Sequence, residues 1–152
     1  TVKKLQSAGF TTSAFGDIFL EDLKKYREDN LAKVGMKAVF PLWKKNTKSL
    51  LKEFLALGFK SIVVCIKAEM LDKSFAGRII DDQFIDDLPD NVDCCGENGE
   101  FHTFCFDGPI FKNPIAFTVG EKTYKSYTAP KDDKIHQNQK DMGFWFCDLK
   151  LT

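Results

Sequence analysis

Apolar positions in the first 66 residues change period several times. Residues 10–15 (FTTSAF) combine β-branched and aromatic side chains and read as a strand, closed by Gly16-Asp17. Leu20, Leu23, Tyr26, Leu31 and Val34 then keep near-helical spacing, with Glu21, Lys24, Lys25, Arg27 and Glu28 on the other face and Gly35 as the stop. Residues 36–43 (MKAVFPLW) predict a buried strand, with Pro41 near its end. Asn46 or Thr47 can cap a second helix, whose stripe is Leu50, Leu51, Phe54 and Leu57 and whose stop is Gly58. Residues 59–66 are continuously apolar, as in a strand covered on both faces. Strand, helix, strand, helix, strand predicts an α/β architecture over residues 1–67, with parallel strands joined by right-handed crossovers. Ligands of such sheets lie beyond the carboxyl ends of the strands, where Asp17, Trp43 and Lys67 fall. Asp17 can cap the first long helix, face a ligand, or do both.

Beyond residue 67 the pattern changes. Residues 69–74 and 81–87 predict short helices, the second ended by Pro89, with Gly77-Arg78 in a loop between them. Residues 90–100 are polar and turn-rich, and run into a strand at 101–106 that is apolar on both faces. A further strand is expected at 123–128, a polar loop at 130–142 and a closing hydrophobic strand at 143–149. Residues 68–152 therefore predict a smaller α+β lobe. At the front, TVKKLQSA before Gly9 reads as the last turn of a helix, with lysines favouring its C-terminal end. A domain rarely begins on a helix tail, so the chain is expected to be the C-terminal part of a longer protein.

Composition narrows the function classes. The chain is 43% hydrophobic and 13% aromatic, which is incompatible with a disordered tail. Its 22 basic residues balance 22 acidic ones, so no overall positive field draws in nucleic acid. No apolar run approaches the ~18 residues of a membrane span, and the polar opening predicts no signal peptide. Five cysteines, an odd number, argue against a secreted disulfide framework and for a reducing, cytoplasmic setting.

The densest chemistry lies between Cys94 and Asp107. Glu97, Asn98, Glu100, His102 and Asp107 gather around Gly96 and Gly99, which permit a tight turn and close approach of a ligand. Two carboxylates and an amide on one turn can hold a polar or cationic substrate; a solvated connection is the plainer alternative. Cys94, Cys95, His102 and Cys105 lack the paired spacing of a zinc site, and no metal is predicted there. Lys44-Lys45 and Lys131 read as solvated, Trp43 as a ring platform or a core wall, and His136 as a loop residue without a role.

Several of these stretches form a series. Gly16-Asp17-Ile18-Phe19-Leu20-Glu21-Asp22-Leu23, Tyr26-Arg27-Glu28 and Phe40-Pro41-Leu42-Trp43 come first. Leu71-Asp72-Lys73-Ser74-Phe75, Gly77-Arg78 and Cys95-Gly96-Glu97-Asn98-Gly99-Glu100-Phe101-His102-Thr103-Phe104 follow, then Asp107-Gly108-Pro109-Ile110-Phe111 and Gly143-Phe144-Trp145. In that order, across residues 9–149, they resemble the diphthine–ammonia ligase family, the N-type ATP pyrophosphatases of the PP-loop superfamily. The resemblance implies an ATP-dependent ligase that adenylates a carboxylate, releases pyrophosphate and lets ammonia displace AMP. It implies part of a parallel nucleotide-binding sheet of HUP type followed by a smaller α+β lobe. Asp17 and Trp43 would lie on the nucleotide side. Glu97 and Glu100 would be catalytic, one of them as the base for ammonium. Asn98, Gly99, His102, Thr103 and Arg78 would meet the acceptor. ATP with magnesium would be the cofactor, and the acceptor a carboxylate such as that of a modified histidine on translation elongation factor 2. Neither nucleic acid nor membrane is implied, and a homo-oligomer is left open.

Two departures stand out. The family's phosphate loop, Ser-Gly-Gly-Lys-Asp-Ser, occurs nowhere in the 152 residues, and Cys94 and Cys105 replace its usual apolar or proline residues. The sequence thus carries two readings: the acceptor part of an amide-forming ligase, or a non-catalytic ligand-binding or interaction module derived from one.

Overall fold

A computed structural model of the chain describes residues 2–127 and 142–152. The loop expected at 130–142 lies outside these except for its last residue, as do Thr128, Lys131 and His136. Two compact units divide the chain, Thr1–Thr47 and Lys48–Thr152.

The first unit holds α1 (Val2–Ser7), β1 (Thr12–Ala14), α2 (Glu21–Ala32) and β2 (Lys37–Val39). Glu21 and Asp22 sit in the first turn of α2, where the helix dipole favours negative charge. Lys25 and Asp29 pair at 2.9 Å one turn apart along its exposed side. Leu31 turns inward, and Ile18 and Met36 are buried with it as the small core of this unit. β1 and β2 pair in parallel, with Thr12 opposite Lys37 and Ala14 opposite Val39. Parallel pairing across a helix is the expected βαβ arrangement, in shorter strands.

The second unit begins within α3 (Thr47–Ala56). It continues through β3 (Lys60–Lys67), a 3-10 turn (Lys73–Phe75), α4 (Asp82–Asp87), β4 (Phe101–Asp107), β5 (Phe117–Tyr127) and β6 (Met142–Leu151). Its four strands lie in the order β4-β3-β6-β5, and every neighbouring pair is antiparallel. This corrects the expected third parallel strand. The apolar run at β3 is buried on both faces as predicted, but it is the inner strand between β4 and β6. Continuous burial reports that a strand has covered faces; it carries no information about the direction of its neighbours. The architecture is therefore mixed α/β, with a two-stranded parallel sheet and a separate four-stranded antiparallel one. The two compact units divide after Thr47.

The helix expected at 69–74 contracts to the 3-10 turn, capped by Asp72, whose carboxylate accepts the Ser74 N–H at 2.9 Å. α4 is capped by Asp81, which accepts the Phe84 N–H at 2.7 Å. These two caps deliver Phe75 and Phe84 to the core. The Phe84 ring is fully buried and meets Phe75 and Phe101 edge-on, at centroid distances of 5.8 and 5.5 Å. Val63, Ile66, Leu71, Ala76, Ile80 and Val92 complete that core. Phe101 is its anchor on β4, and the residue immediately before it is Glu100.

Candidate functional site

The turn between α4 and β4 is organised by two carboxylates from within. Asp93 accepts the Cys95 N–H at 2.9 Å and the Glu97 N–H at 3.3 Å, an Asx turn that folds the chain back on itself. Glu100, only 3% exposed, accepts three N–H donors: Asp93 N–H at 3.0 Å, Asn98 N–H at 2.9 Å, and Asn98 Nδ2 at 3.0 Å. Burial works to raise the pKa of Glu100. Its bonds to the Asn98 side chain and to backbone N–H groups outweigh that effect and hold the carboxyl below the ordinary glutamate range. At neutral pH Glu100 is therefore an ionised acceptor engaged at both oxygens. Glu97 is half-buried, and Asn98 is exposed at the tip of the turn.

Gly96 and Gly99 both occupy the left-handed region, at φ +68° and +79°. At Gly96 a Cβ would stand 2.7 Å from the Phe101 carbonyl oxygen, whereas at Gly99 it would meet open space. Gly96→Ala should therefore cost clearly more stability than Gly99→Ala, which pays only the left-handed penalty of about 1–2 kcal/mol. Urea unfolding of the two variants would check this, and equal losses would mean that the turn yields to the added methyl.

Glu97, Asn98, Gly99 and Glu100 lie consecutively on this turn. His102 and Thr103 follow on β4 and leave it on opposite faces. Arg78 is held elsewhere in the second unit: its guanidinium bonds Asp87 at 2.8 Å and lies over the rings of Phe75 and Phe84. In the first unit, buried Asp17 accepts Arg27 Nε at 2.5 Å and Arg27 Nη2 at 3.2 Å. Trp43 is half-buried there, with Lys24 Nζ 4.7 Å from its ring centre. Among the described residues, no three His, Cys, Asp or Glu side chains gather closely enough to hold a metal ion. None of the five cysteines is in a disulfide, and burial pushes the Cys95 thiol up to about 12. No helix of the described residues is long and apolar enough to cross a membrane. The role of Asp93 as organiser of the turn has a legible mark in the sequence, an Asp at the head of a glycine turn, two residues before the N–H it accepts.

Residues 46–135 match the family described as the diphthamide synthase C-terminal domain. Among curated proteins, the chain is 30% identical to mouse diphthine–ammonia ligase over 116 residues, covering 72% of this chain and 43% of that protein. It is 28% identical to the human diphthine–ammonia ligase over the same length. The fission yeast diphthine–ammonia ligase is 29% identical over 131 residues, 83% of this chain and 22% of that protein. The chain thus spans less than half the length of these relatives.

Proposed function

Since the chain belongs to the diphthamide synthase C-terminal domain family, we propose that it supplies the acceptor-binding part of an ATP-dependent, amide-forming ligase. The observation that carries this reading is the ordered acidic turn within the matched region, where Glu100 fixes the backbone that presents Glu97 and Asn98. In the proposed reaction an acceptor carboxylate attacks ATP, giving an acyl adenylate and pyrophosphate. Ammonia then adds to the acyl carbon, AMP leaves, and a carboxylate of the turn takes the surplus proton. Glu97 is the base, and Glu100 acts through the turn. Asn98 and the Gly99 backbone meet the acceptor, with His102 or Thr103 beside them according to which face of β4 it approaches. Arg78 would serve the acceptor only by giving up Asp87. Asp17 and Trp43 belong to the nucleotide side, with β1 and β2 as part of a HUP-type sheet. The triphosphate and its magnesium need a phosphate loop that the 152 residues do not contain, so none of the steps above is assigned to phosphate-binding residues here. The setting is cytoplasmic.

A second reading is a module that binds the acceptor without turning over ATP. One experiment separates the two. The 152 residues, joined to a phosphate-loop segment of the family, are incubated with ATP, ammonium chloride and elongation factor 2 whose modified histidine is in the carboxylate form. Ammonium-dependent AMP release with carboxyl-to-amide conversion on the acceptor is the expected result. Acceptor binding without AMP would establish the module instead, and neither would overturn both.

A further inference from the structure

The second unit has another polar concavity, on the sheet face opposite Phe101. Strand registers set His102 opposite Cys65, Cys65 opposite Phe146, and Phe146 opposite Thr123. Residues directly opposite in antiparallel neighbours share a face, so this single row crosses all four strands. It forms the floor of a cleft of about 790 Å³, a volume within the range of small-molecule sites. Phe101 points into the core while His102, next to it, lines the cleft.

Four charges complete the lining: Glu121 and Lys125 from β5, Asp148 and Lys150 from β6. Among the described residues none of the four is in a salt bridge or a side-chain hydrogen bond. Lys125 Nζ instead lies 5.4 Å from the centre of the Phe146 ring. The registers also order the charges. Lys125 stands opposite Phe144, the Thr123–Phe146 row comes next, then Asp148 with Glu121 in the bulge between Val119 and Lys122, and last Lys150 opposite Thr118. The sequence along the cleft is thus cation, aromatic ring, two carboxylates, cation.

That order selects a ligand class. Two positive and two negative groups sum to zero, so an anion or a cation alone would meet as much repulsion as attraction. A zwitterion meets attraction at both ends. Its ammonium would fit beside Asp148 and Glu121, its carboxylate at Lys125 above the neighbouring ring, and an apolar group against Phe146 and Val64. Burial pushes the Cys65 thiol up and keeps it protonated, so the floor offers no nucleophile. We propose that this cleft, formed by the His102–Cys65–Phe146–Thr123 row and its four charged side chains, reversibly binds a free α-amino acid with an apolar or aromatic side chain. His102 is the one residue shared with the proposed acceptor set, and the binding involves no ATP.

The test is amide NMR of the intact protein titrated with L-phenylalanine and with L-leucine to about 10 mM, enough to detect a millimolar site. Shifts centred on His102, Cys65, Thr123 and Phe146 are expected. For phenylalanine, 3-phenylpropionate and 2-phenylethylamine each lack one charge and should bind at least tenfold more weakly. Asp148→Asn, at an exposed position, should weaken phenylalanine by about tenfold and leave 3-phenylpropionate unchanged, with the rest of the spectrum reporting an intact fold. Neither amino acid moving these amides would overturn the proposal. So would equal binding of 3-phenylpropionate, or shifts caused by AMP but by neither amino acid, which would make the cleft an anion site. Because no turnover is measured, such a failure leaves the ligase reading standing, and loss of AMP release leaves this one standing.

Discussion

Glu100→Ala should destabilise the second unit by about 2–4 kcal/mol, through three donors left without an acceptor rather than through lost packing. Asp93 N–H, Asn98 N–H and Asn98 Nδ2 all converge on this carboxylate, which is itself buried. Glu100→Gln keeps one oxygen but turns an NH2 toward N–H donors, so it should recover only part of the loss. Urea unfolding would show a lower midpoint at unchanged slope. The effect should also depend on pH in a defined direction. The folded-state pKa of Glu100 is depressed, so its contribution is fully present above the ordinary glutamate value of 4.5 and is lost as pH falls through the lower folded value. Wild type and Glu100→Ala should therefore differ most at neutral pH and converge in acid below that value. A difference that persisted undiminished in acid, or a neutral-pH loss below about 0.5 kcal/mol, would show that the carboxylate does not hold the turn together.

What the sequence made legible follows from which interactions are local. α2 and α3 could be read because their apolar spacing and glycine stops are properties of one segment. The same holds for β3, β4 and β6, each a single apolar run, and for α4, begun by Asp81 and ended before Pro89. Pairing was not legible. β3 is inner and doubly covered in either a parallel or an antiparallel sheet, and only its partners, roughly 35 to 80 residues downstream, decide between them. β5 was underestimated for a related reason: Phe117 to Glu121 include a glycine and a bulge, and their strand character comes from pairing with β6. At the site, the acidic glycine turn was found, but the unequal standing of its two glutamates was not. That difference arises because Asp93, seven residues upstream, supplies a donor to one of them.

The same inequality makes Glu97→Gln the decisive functional substitution. A general base works best when it is neither saturated by donors nor held strongly in its ionised form. Glu100 meets neither condition, since three N–H groups hold its oxygens and its pKa is lowered. Glu97 is tied into the turn through its backbone N–H, which donates to Asp93, and its side chain stands half-buried beside the exposed Asn98. In the proposed ATP- and ammonium-dependent reaction, Glu97→Gln should lower kcat by roughly 10²-fold or more, measured on the folded fraction of the variant. Glu100→Gln should lower activity in step with its loss of stability, and activity should return when the fold is stabilised by cooling or by an osmolyte. The pH profile distinguishes the roles further: losing the base should remove the acidic limb of kcat, whereas a weakened turn should leave that limb in place at reduced height. If Glu97→Gln turned over at the wild-type rate while Glu100→Gln lost both activity and the acidic limb without unfolding, the assignment would reverse. The buried carboxylate would then have to shed its donors during the reaction, and the turn would have to open for each cycle.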